Sequence, residues 1–96
     1  MAHYAIVMVE VKDAEKMAAY REAAGPGLAK HGAKPVAGGP ETRALQAQHG
    51  PVTGVVLEFS DADAIENWLS DPELAEVHAL RNAAATVTIL AAPSMG

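Results

Sequence analysis

Ninety-six residues and 9.9 kDa make one compact domain, 1–96, and a chain that is half apolar and one-fifth charged is neither disordered nor collagen-like. The absence of cysteine removes disulfide frameworks, thiolate nucleophiles, iron–sulfur clusters and cysteine-ligated zinc, and no apolar stretch approaches the ~20 residues a bilayer-crossing helix needs. Seven Lys and Arg against twelve Asp and Glu give a net charge of -5 with the cations dispersed, which argues against nucleic acid as a partner. A basic region followed by an apolar signal core is missing near the first residue, so the expected address is cytoplasmic, with no membrane contact.

Tyr4 to Val11 reads as a β-branched, apolar strand that the charged pair Lys12-Asp13 ends. Its odd positions, Ala5, Val7, Val9 and Val11, are uniformly apolar, whereas Tyr4, Ile6, Met8 and Glu10 are larger and mixed, so the two faces meet different surroundings. Asp13 is placed to cap an amphipathic helix with Glu15 in its first turn and Met17, Tyr20, Ala24 and Leu28 at helical spacing. Gly25-Pro26-Gly27 predicts a break in that helix, with a restarted turn running to about His31 and Gly32 as a left-handed cap.

From Ala33 to Gln48 the pattern is that of a broken edge strand bent at Gly38-Gly39, and His49-Gly50-Pro51 reads as a turn. Val52 to Phe59 is a second strong strand, with Val55, Leu57 and Phe59 on one face and Gly54, Val56 and Glu58 on the other. Ser60 is the predicted cap of a helix bearing Ala62, Ile65, Trp68 and Leu69. Asp71-Pro72-Glu73 restarts a helix whose inner face reads Leu74, Val77, Leu80 and Arg81, and Thr86 to Ala92 is the last strand. This βαββαβ order is that of an α+β, ferredoxin-like sandwich: a four-stranded antiparallel sheet covered by helices on one face. Ile6, Met8 and Val56 then lie on the uncovered face. Monomers rarely keep such an apolar patch, which predicts a homodimer packed sheet against sheet.

The tracts from Ala5 to Gly39, Val55-Val56-Leu57-Glu58-Phe59 and Ser70 to Arg81 resemble the bacterial family known as domain of unknown function 1330, within the dimeric α/β-barrel superfamily. The resemblance runs from Tyr4 to about Leu90 and implies the barrel dimer. It implies no common reaction, since the superfamily spans cofactor-free monooxygenases, haem-degrading enzymes, lactone isomerases and stress proteins. Two departures are Leu74, where relatives carry an aromatic residue, and Asn82-Ala83-Ala84-Ala85, where they carry glycine and acids.

Glu58 is the first candidate for chemistry, because enclosure in a barrel would desolvate a carboxylate and suit it to proton transfer; the plainer alternative is an ion pair with Arg81. Antiparallel pairing would bring Tyr4 beside Glu58, as a hydrogen-bond partner or an interfacial aromatic. His31, near a helix C-terminus, is a candidate outer acid or a simple cap, and His78 and Arg81, three apart, share a helix face. From there Arg81 could hold a carboxylate or enolate at a pocket mouth, or form an ion pair. Trp68 could shape a pocket rim or belong to the helix core. His3, His31, His49 and His78 show no metal-binding spacing, so neither a metal nor another cofactor is expected. These residues predict a dimer enclosing a mainly apolar pocket, with Ile6, Met8, Val56, Trp68 and His78 as lining. Glu58, Tyr4, His31 and Arg81 would act there on a small organic acid or aromatic metabolite by proton transfer, isomerisation or oxygenation. A non-catalytic binding or stress-associated module is the alternative.

Overall fold

The computed structural model describes residues 2–47 and 52–96, so the turn expected at His49-Gly50-Pro51 lies outside the described residues. Strand β1 (His3–Val11) leads into helix α1 (Ala14–Lys30), the short strand β2 (Lys34–Gly39) and strand β3 (Thr53–Phe59). Helix α2 (Ala62–Ser70), a 3₁₀ turn (Pro72–Leu74), helix α3 (Ala75–Ala84) and strand β4 (Ala85–Pro93) complete the chain. The strands form one antiparallel sheet in the order β2-β3-β1-β4. The ferredoxin-like sandwich is therefore present, with β2 and β4 at the edges.

Strand alternation decides the two faces. Ala5, Val7 and Val9 of β1 and Leu57 and Phe59 of β3 are buried beneath the helices with Met17, Ile65, Trp68 and Leu74. Cross-strand pairing fixes what remains on the other face: Ala37, Val56, Ile6 and Leu90 form one row across all four strands, and Lys34, Glu58, Tyr4 and Ala92 form another. Leu90 was missing from the expected patch and is half-exposed in it.

Local chemistry sets the helix ends. Asp13 accepts a hydrogen bond from the Lys16 amide at 3.0 Å, satisfying an otherwise free donor of the first turn. At the other end Gly32 takes φ +70°. Its amide donates to the Ala29 carbonyl at 3.1 Å, and the Ala33 amide donates to the Leu28 carbonyl at 2.9 Å, the paired bonds of a Schellman cap. The cap of α2 is Asp61, whose carboxylate accepts from the Ala64 amide, and not Ser60. Two adjacent residues able to cap compete, and the one whose carboxylate reaches three residues on wins.

The expected break at Gly25-Pro26-Gly27 does not occur; α1 runs through it. Pro26 forfeits one helical hydrogen bond, but part of the clash it imposes on its predecessor comes from a Cβ that Gly25 lacks. Gly27 is buried, and a Cβ there would come within 2.8 Å of a Leu74 methyl, so the missing side chain lets α1 lie close to the 3₁₀ turn. α1 packs along α3, with Met17 buried in the core and Tyr20 and Leu28 packed against it, and the space beside these side chains, over β1 and β3, positions the site.

Candidate functional site

Between α1 and the sheet lies a cleft of about 290 Å³, near the lower end of the roughly 300–1,000 Å³ typical of small-molecule pockets. Its α1 wall is Met17, Tyr20, Ala24 and Leu28, the stripe that the sequence presents at helical spacing, and its floor is Val7, Val9, Val55 and Leu57. Gly39, Pro40, Thr53 and Gly54 close one side. The lining is almost wholly apolar. Arg21, exposed, is its cation, and Arg21 has no ion pair among the described residues. The sequence signal that could have found this wall was the Tyr20-Arg21 pair, an amphipathic aromatic next to a guanidinium at the edge of an apolar stripe.

The open face brings Tyr4 and Glu58 together as their cross-strand register demands. The Tyr4 hydroxyl donates to Glu58 Oε2 across 3.4 Å, a long bond for a phenol and a carboxylate. Ile6, Met8 and Val56 line a shallow hollow on this face with Gly38 and the segment from Thr42 to Ala47. Glu58 and Arg81 form no ion pair: Glu58 points to the open face, whereas Arg81 is buried in the helical layer.

Arg81 is not at a pocket mouth. It is 4% exposed, its Nη1 donates to His78 Nδ1 at 2.8 Å, and its Nε donates to Asn82 Oδ1 at 3.3 Å. The guanidinium carbon lies 5.9 Å from the Tyr20 ring centre and 5.8 Å from that of Trp68, within cation–π range. His78 is equally committed. A guanidinium can only donate, so Nδ1 accepts and Nε2 carries the proton given to the Trp68 carbonyl at 2.8 Å. Trp68 itself is buried, 5.7 Å from Phe59 and edge-on to His78. Trp68 and His78 are therefore core residues and not pocket lining; the carbonyl at the end of α2 gives a polar imidazole a reason to be inside.

His31 lies three residues beyond Leu28, apart from both groups. Its Nε2 meets Asp71 Oδ2 at 2.8 Å, and the same oxygen is 2.7 Å from Lys30 Nζ, which also reaches Glu73 at 2.8 Å. Asp71 further accepts from the Glu73 amide at 2.9 Å. Hydrogen bonds from Lys30, His31 and the Glu73 amide hold the Asp71 carboxyl well below the usual carboxylate range. Lys30 is correspondingly raised by Asp71 and Glu73. This cluster ties the end of α1 to the 3₁₀ turn. Among the described residues no group of three His, Cys, Asp or Glu side chains could hold a metal ion, and no helix is long and apolar enough to cross a membrane.

Comparison with solved structures places this geometry in a known fold. A Rhodopseudomonas palustris protein of unknown function matches with a TM-score of 0.82 and 19% identity over 99% of this chain and 83% of that one. A dimeric ferredoxin-like protein of unknown function from Jannaschia sp. CCS1 gives 0.73 and 19% over 98% and 100%. SnoaB, a cofactor-independent oxygenase from Streptomyces nogalater, gives 0.69 and 10% over 99% and 94%. At these identities the likeness is one of fold. No curated protein matches the sequence. The model of one family, described as domain of unknown function (DUF1330), matches residues 2–95, and the chain belongs to that family.

Proposed function

We propose that the protein is a homodimeric small-molecule-binding protein whose two clefts each take a small, mainly apolar metabolite of single-ring size, in the manner of a cofactor-free enzyme. The cleft between α1 and the sheet carries this reading: it is apolar and bordered by Tyr20 and Arg21. The open face is assigned to the second copy. Its row of Ala37, Val56, Ile6 and Leu90 crosses the whole sheet, and the Jannaschia structure of this fold is a dimer. Proton transfer, isomerisation or oxygenation of an activated ring is the chemistry this reading assigns to the apolar cleft, and SnoaB, a cofactor-independent oxygenase, shares the fold.

The experiment is a thermal-shift screen of single-ring phenols, carboxylic acids and amides against the wild type and Ala24→Phe, which fills the cleft from α1. Compounds that stabilise the wild type should lose their effect on the variant while the dimer persists. Equal stabilisation of both proteins contradicts the cleft as the site. A second reading, favoured by the Tyr4–Glu58 contact, keeps Glu58 as proton acceptor and Tyr4 as its hydrogen-bond partner in a cavity between the two sheets.

A further inference from the structure

Arg81 is a buried charge without a counter-ion. No carboxylate lies within 4.0 Å of it among the described residues, and its two hydrogen-bond acceptors, His78 Nδ1 and Asn82 Oδ1, belong to uncharged side chains. It sits in the last turn of α3, where the helix end contributes about half a negative charge, and two aromatic faces flank it. These soften the burial of a guanidinium but do not neutralise it, and buried charges are ordinarily paired. One and the same ring, that of Tyr20, lines the cleft and lies over the guanidinium, so a single aromatic ring separates Arg81 from the ligand space. Tyr20 is only partly buried.

We propose that the ligand of the cleft is an anion, a carboxylate or enolate on a small apolar body, and that Arg81 is its counter-charge, reached when the Tyr20 ring moves aside. This rests on the cleft reading above and gives that ligand a chemical class. Arg21 at the rim draws the anion in; Arg81 at the bottom holds it, in a setting dry enough for a charge-assisted hydrogen bond to count. His78, bonded to the Trp68 carbonyl on one side and to Arg81 on the other, acts as a positioning residue that fixes the guanidinium plane.

The test follows the arginine Nε–H resonances of the dimer by nitrogen-15 NMR during titration with benzoate and with its neutral isostere benzamide. The chain has three arginines, Arg21, Arg43 and Arg81. Arg21→Lys and Arg43→Lys, which keep the charge, each remove one resonance and so identify the third as that of Arg81, which is then followed in the wild-type dimer, so no substitution of the buried residue itself is needed. Benzoate should shift both this resonance and the backbone amides of Val7 and Val55 on the cleft floor, and should bind about tenfold or more tightly than benzamide. If benzoate moves the cleft amides and leaves Arg81 unmoved, the role of Arg81 is overturned and the cleft stands. If it moves Arg81 and not the cleft amides, or moves neither at millimolar concentration, both the cleft and the anion assignment fall.

Discussion

Single residues in this molecule are held by local chemistry that can be tested one at a time. His78→Phe keeps an aromatic ring, somewhat larger than imidazole, but leaves the Trp68 carbonyl and an Arg81 N–H without partners. At ~1–3 kcal/mol for each unsatisfied buried group, chemical denaturation should show a loss of about 3 kcal/mol; an unchanged midpoint would mean that water already satisfies both. Asp71 predicts a pH dependence. Its carboxyl titrates below its ordinary value of 3.8, first through its bond to Lys30 and then through His31. The stability it contributes is therefore present above that value and is lost as pH falls through the depressed folded value. Asp71→Asn can still accept from the Glu73 amide but carries no charge, so its stability should fall less steeply in acid than that of the wild type. Parallel acid limbs would remove Asp71 from the account. Glu58→Gln separates the two readings of the site: with the ligand in the α1 cleft, calorimetric affinity for any cleft ligand stays within experimental error, whereas a marked drop would favour Glu58 and Tyr4.

At the scale of elements, α1 decides whether there is a site at all. Its two ends were legible because caps are local: Asp13 and Gly32 act on amides and carbonyls within a few residues. Its middle was not, since Gly25-Pro26-Gly27 reads as a break only if the loss of one hydrogen bond outweighs the packing of Gly27 against Leu74. Pro26→Ala restores that bond but makes the unfolded chain more flexible. The net expected effect is a gain of ~1–2 kcal/mol, read from the denaturation midpoint, and a loss would show that the proline is needed to shape the helix. The stripe of Met17, Tyr20, Ala24 and Leu28 gave the correct face: Met17 is buried in the core, and Tyr20 and Leu28 pack against it. Periodicity reports which side of a helix is apolar and not the space left beside its side chains. In α3 the expected phase was also off: Leu74, His78, Arg81 and Ala84 are buried, whereas Val77 and Leu80 are only partly so. The 3₁₀ turn changes the residue spacing before the helix starts, and a polar His78 counts against burial in any hydropathy pattern.

For the whole molecule, the fold was legible because strands alternate with period two and the order of elements admits few topologies. The chemistry was less so, because contacts among α1, α2 and α3 place Arg81, Tyr20 and Trp68 together from three separate stretches of sequence. Under the proposed function two faces of one sheet divide the labour: the helical side would hold ligand within each protomer, and the open side the partner. Met8→Lys places a charge on the open face beside the apolar row, and sedimentation should show the dimer dissociating. Native mass spectrometry of wild type and Met8→Lys with a ligand found by screening then tests the division directly. The account predicts two ligands on the wild-type dimer and one still bound to the Met8→Lys monomer. One ligand per wild-type dimer, with none on the monomer, would place the site between the sheets and contradict it.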